Sequence, residues 1–171
     1  MQKSFIAPVC ISLTAATLLF AAHVTTDYDH HADFSRYKTY SWIGVKAGPL
    51  WEERIQADVD SALAAKGWQK SASNGDAALS AFGSTQNQQR LNTFYDGFPG
   101  WRWGGFGEST TTVENTKIGT LVVDIFDGQS KHLIWRAQAA EALSGKPEKN
   151  EKKLADTVDD MFKKFPPSSK G

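Results

Sequence analysis

The chain has 171 residues, with 19 Lys and Arg balanced by 19 Asp and Glu and a single Cys. Zero net charge gives no electrostatic footing for nucleic acid or for an anionic membrane surface, so both partner classes are set aside. The length suits one domain with a core of useful size.

Met1-Gln2-Lys3, the apolar run from Phe5 to Phe20 and the small pair Ala21-Ala22 have the order of regions of a secretory signal peptide, expected over residues 1–22. Two alternatives would tether the chain to a membrane: retention of the leader, or lipidation at Cys10. Against the first, the run is shorter than the roughly 20 residues that span a bilayer, and Pro8 interrupts it. Against the second, Ala7-Pro8-Val9 puts no small residue next to Cys10, and the apolar run continues beyond it. Cleavage after Ala22 removes the one cysteine. The exported remainder can then make no disulfide, and its six Trp and four Tyr must hold the core by packing.

After the leader, Val24 to Tyr28 is β-branched and reads as a strand, ending in the polar cluster Asp29-His30-His31-Ala32-Asp33. Arg36 to Ile43 is aromatic and alternating, a second strand. Trp51, Ile55, Val59, Ala62 and Leu63 then fall on one helical stripe, with Gly67 placed to terminate the helix. Ala77 to Phe82 reads as a buried strand that the polar stretch Ser84–Arg90 extends. From Phe94 to Gly107 aromatics alternate with glycine without helical or strand period, and a long loop is expected.

Ser109 to Glu114 and Gly119 to Phe126 are two further strands by composition. Asp127-Gly128 is a strong turn signal leading into a strand from His132 to Ala139, hence a β-hairpin. Leu154, Val158, Met161, Phe162 and Phe165 mark one face of a last helix, stopped by Pro166-Pro167. Adjacent strands joined by short turns and two one-sided helices give an α+β fold: a mostly antiparallel sheet with both helices packed on one face, a two-layer sandwich. The domain is expected over 23–166, with 167–171 a tail.

Several stretches, taken in order, resemble the DUF4136 family of bacterial envelope proteins. They are Asp27-Tyr28-Asp29, Ala32-Asp33-Phe34-Ser35-Arg36-Tyr37-Lys38-Thr39-Tyr40-Ser41-Trp42, Ala64-Ala65-Lys66-Gly67-Trp68, Asp76-Ala77-Ala78-Leu79, the Gly/Trp-rich middle, Gly119-Thr120-Leu121-Val122-Val123-Asp124 with Leu133-Ile134-Trp135-Arg136, and Lys164-Phe165-Pro166-Pro167. The resemblance implies a periplasmic or outer-membrane-associated domain of unknown biochemical role. It carries no active site across.

Chemistry is sparse. Asp27, Asp29, His30, His31 and Asp33 hold metal-ligating groups, but adjacent histidines on an extended chain point opposite ways, and Asp side chains in such turns cap backbone groups. No cysteine remains after the leader and no Gly-x-Ser-x-Gly elbow is present, so His132 has no evident nucleophile. Gly100 to Gly107 matches no phosphate-binding loop. No cofactor or metal is expected.

What stands out is the aromatic segment, where Tyr95, Phe98, Trp101, Arg102, Trp103 and Phe106 suit a half-wet contact surface. A lid over the core is the other reading of those residues. The expectation is a non-catalytic exported domain that binds an envelope protein or an amphipathic ligand. A hydrolase centred on His30, His31 or His132 is the alternative.

Overall fold

The computed structural model describes residues 22–95 and 109–167, with side chains left out for the strand residues 90–95 and 109–114. Six strands form one sheet: β1 (His23–Tyr28), β2 (Thr39–Lys46), β3 (Gln69–Lys70), β4 (Ala77–Tyr95), β5 (Ser109–Asp127) and β6 (Leu133–Ala142). Their spatial order is β1-β6-β5-β4-β2-β3. The helices α1 (Pro49–Ala65) and α2 (Pro147–Phe162) lie on one face, as expected for a two-layer α+β sandwich.

Alternation fixes which face is buried. Leu79, Ile125 and Trp135 stand side by side in the β4–β5–β6 register, as do Ala81, Val123 and Ala137, and all six are buried under the helices. Against them α1 turns Ile55, Val59, Ala62 and Leu63, and α2 turns Thr157, Val158, Met161 and Phe162. The core is aromatic where disulfides might have served. Phe34, Trp68, Trp135 and Phe162 each meet Phe165 with ring centroids 5.1–5.9 Å apart.

The first helix ends as the glycine signal predicts. Gly67 takes φ +81°, its amide donates to Ala64 O, and the Trp68 amide reaches back to Leu63 O. The hairpin over Asp127-Gly128 also forms, because Asp127 Oδ1 accepts from the Gln129 and Ser130 amides at 2.9 and 2.7 Å.

Three readings need correction. The two strands expected at 109–114 and 119–126 are one, β5, because the polar residues between them keep extended backbone pairing with β4. Phe94 and Tyr95 are not loop: they end β4, opposite Thr110 and Ser109. The final helix stops at Phe162, and Phe165 is buried from beyond its end. The sheet also contains a strand–helix–strand crossover, in which β2 pairs with β4 in parallel and α1 joins them. That unit sends both helix N-termini to the same end of the sheet.

Candidate functional site

At that end lies a cavity of about 160 Å³ between the two helices and the sheet. Its walls are Trp51 and Ile55 from α1 and Leu154 and Thr157 from α2, with Leu121 and Ala139 beneath. Gly83 and Gly119 form the part of the floor nearest the opening. A Cβ on Gly83 would meet Ile55 Cδ1 at 3.1 Å and Ala47 Cβ at 3.2 Å, and one on Gly119 would meet Leu143 Cδ2 at 2.9 Å. At both positions glycine lets a neighbouring side chain close directly on the strand backbone, a common reason for glycine inside a strand.

Glu141, Lys153, Thr157 and Asn150 at the rim are already paired. Glu141 accepts from Lys153 Nζ at 2.8 Å and from Thr157 Oγ1 at 3.2 Å, while Lys153 also donates to Ala142 O at 2.7 Å. Asn150 closes a loop on Ser144 through both its amide atoms. What the cavity offers is mainly apolar surface, which suits the holding of an apolar group.

The same end carries a second feature. β2 leaves β4 after the Lys46–Phe82 pair, and β6 leaves β5 after Ile118–Ala142. Beyond that point β4 and β5 run on as a two-stranded ribbon from Gln86 and Lys117 to Tyr95 and Ser109. Gln86 to Gln89 are exposed on both its faces. Tyr95 closes β4, and Phe98, Trp101, Arg102, Trp103 and Phe106 lie outside the described residues.

The histidine cluster does structural work. The His30 ring packs edge-on against Tyr28, centroids 4.4 Å apart, in a groove at the opposite end of the helix layer. Asp29 Oδ1 accepts from the His31 amide, and Asp33 Oδ1 from the Ser35 amide and hydroxyl. The Ser35 hydroxyl and amide hold the Asp33 carboxyl below its ordinary pKa. His132 Nε2 comes to 3.9 Å from Asp29 Oδ2 with its imidazole mostly in solvent. Among the described residues no three His, Cys, Asp or Glu gather as a metal site. Asp124 pairs with Arg136, bidentate at 2.6 and 2.7 Å on the open face of the sheet.

The cavity was not foreseen from sequence. Its one sequence signal is a pair of glycines interrupting otherwise β-prone runs, and only the register shows them to be neighbours: Thr85 pairs with Gly119 and Gly83 with Leu121.

A family model described as "Domain of unknown function (DUF4136)" matches residues 24–167. No curated protein matches the sequence. Among solved structures, a PDZ domain protein from Parabacteroides distasonis is similar at 14% identity with a TM-score of 0.60, over 87% of this chain and 36% of that one. The chain thus spans about a third of that protein's length. A PelC dodecamer from Paraburkholderia phytofirmans (14% identity, TM-score 0.45, 81% of this chain and 97% of that) and a minor lipoprotein from Acinetobacter baumannii (15%, 0.40, 75% and 91%) are more distant. At these identities the likeness is one of fold.

Proposed function

The chain belongs to the DUF4136 family, and from that premise we propose that it is an exported domain of the bacterial envelope that binds an apolar group and does no chemistry on it. The cavity at the helix N-termini carries this reading: its lining is mainly apolar, and Glu141, Lys153, Thr157 and Asn150 at its rim are bonded within the chain. The ligand class is the hydrophobic part of an envelope protein or of an amphipathic molecule. The leader supports a periplasmic or outer-membrane-associated location. Among the described residues no helix is long and apolar enough to cross a membrane, so association with one would run through a retained leader or lipidation.

The test uses the protein as its host processes it. Methyl resonances of Ile55, Leu121, Leu143 and Leu154 are followed while decanoate, below its micelle concentration, is added. Saturable shifts confined to these methyls, and abolished by Gly119→Val, are expected. Shifts scattered over the surface, or none, would remove the cavity as the site. Export is tested separately by mass spectrometry of the N-terminus, where a mature chain beginning at His23 is expected and an intact Met1 in the cytosolic fraction would overturn it.

The ribbon favours a second contact. β4 and β5 run on beyond the helix layer to Tyr95 and Ser109, which supports the proposal that Phe98, Trp101, Arg102, Trp103 and Phe106, between them in sequence, meet a partner and not the chain's own core.

A further inference from the structure

We propose that the partner of the aromatic segment is a second copy of this chain, whose cavity receives it, with the exchange made reciprocally across a two-fold axis. This rests on the cavity being a receptor for an apolar group and adds what fills it.

Reach excludes the chain's own cavity. From Thr85 at the cavity floor to Tyr95 is ten strand residues, about 34 Å at the rise of a β-strand. Residues 96–108 are anchored at both ends, on Tyr95 and on Ser109. Their midpoint, Arg102, is seven residues from either anchor and extends at most about 25 Å from it. Folding back over the ribbon therefore falls short of the space between α1 and α2.

Size and chemistry favour the exchange. A cavity of about 160 Å³ is close to the roughly 150 Å³ that holds one benzene-sized guest. Residues 96–108 offer Phe98, Trp101, Trp103 and Phe106.

The ribbon supplies the third argument. Past its base, β4 from Gly83 to Tyr95 has no strand on the side that β2 left, and β5 from Ser109 to Thr116 has none on the side of β6, among the described residues. A two-stranded ribbon is marginal in water by itself, and long free edges invite pairing. Two ribbons laid antiparallel, β4 edge to β4 edge, satisfy those backbone groups in an isologous contact. In that arrangement the tip of each ribbon arrives at the base of the other, which is where the cavity opens. A small apolar ligand alone would leave the edges unpaired.

Sedimentation velocity on the host-processed protein, from micromolar to sub-millimolar concentration, reads the result. Wild type is expected to dimerise reversibly. Replacing residues 96–108 by Asn-Gly, which keeps the hairpin closed, should leave a monomer, and so should Gly119→Val or, independently, Leu154→Trp, which fill the cavity with the tip intact. Mixing the tip-less protein with a cavity-filled one should restore a heterodimer, because one tip and one open cavity remain.

A wild type that stays monomeric, a tip-less chain that still dimerises, or a mixture that fails to associate would each overturn the proposal. The tip-less chain is also titrated with decanoate. Cavity-confined methyl shifts without dimerisation of wild type would sink the exchange and leave the binding reading standing; dimerisation without any such shifts would leave the exchange standing and remove a free amphipathic molecule as the ligand.

Discussion

Thr39 and Asp76 hold each other in both directions: the Thr39 hydroxyl donates to Asp76 Oδ2 at 2.9 Å and accepts from the Asp76 amide at 3.0 Å. The same carboxylate oxygen takes the Lys38 and Thr39 amides, so the start of β2 is fastened to the start of β4 before their ladder begins. The site is exposed, and each bond is worth a modest amount. Thr39→Val should cost about 1 kcal/mol and Asp76→Ala more, since the Ala variant leaves two amides without their acceptor. Urea midpoints at constant m-value measure both.

Asp60 on α1 serves three donors from the sheet. Tyr40 Oη reaches Oδ1 at 2.7 Å, Trp42 Nε1 reaches it at 2.8 Å, and Lys70 Nζ reaches Oδ2 at 2.8 Å. Tyr40 is almost wholly buried, and that burial, with the Asp60 bond, raises its phenol pKa. Asp60→Ala would strand the hydroxyl in the core and is expected to destabilise by about 2–3 kcal/mol. If Tyr40→Phe combined with Asp60→Ala proves no milder than the sum of the single changes, the coupling argued here is wrong.

Stability should fall at both pH extremes for reasons traceable to one contact. The Ser130 amide first, then the Tyr37 hydroxyl at 2.9 Å, hold Asp127 down at about 2. A carboxyl lower in the fold than in the open chain stabilises above its ordinary value near 3.8 and loses that contribution as pH drops towards about 2. Burial first, then Asp127, raises Tyr37 to about 12. Its contribution is complete below pH 10.0, the ordinary phenol value, and is lost as pH climbs through about 12. Asp127→Asn should flatten the acid limb of a stability profile taken by denaturant titration, and an unchanged limb would rule this contact out as its source.

Asp58 runs the other way. Desolvation, then the facing Asp159 of α2, raises its carboxyl, so at neutral pH the ionised form opposes the α1–α2 contact. Asp58→Asn is expected to raise the melting temperature at pH 7 by a few degrees and to change little near pH 3, where wild type is already protonated. Calorimetry at the two pH values distinguishes this from a general effect of the amide.

Trp135 packs tilted against Phe162 and edge-on against Phe165, with centroids at 4.9 and 5.1 Å, and is 3% exposed. Truncation to Ala opens a core cavity and should cost about 3–5 kcal/mol. Removal of a surface aromatic would cost far less, so a small loss in equilibrium unfolding would rule out this core role.

Much of the fold was legible because local chemistry writes it. The stripe of Ile55, Val59, Ala62 and Leu63 allows only a one-faced helix, Gly67 ends it at a positive φ, and Asp127-Gly128 turns the chain. The strands β4, β5 and β6 were legible by composition, while their buried odd-numbered set was not, because Phe82, Val122 and Phe126 are apolar at even positions. The family, too, is carried by short ordered stretches of this kind, which is why residues 24–167 match it along their length.

What the sequence could not settle depends on which strands are neighbours. Gly83 and Gly119 are 36 positions apart, and nothing local says that one register sets them on a common floor beneath Ile55 and Leu143. The parallel placement of β2 beside β4, which brings both helix N-termini to that floor, is likewise a pairing across α1. The length of the ribbon follows from where β2 and β6 stop, not from any property of Gln86 to Tyr95. Side-chain period and turn chemistry act over a few residues and so can be read from the chain; a cavity is made by groups that meet only once the sheet has chosen its order, and tertiary packing alone decides that.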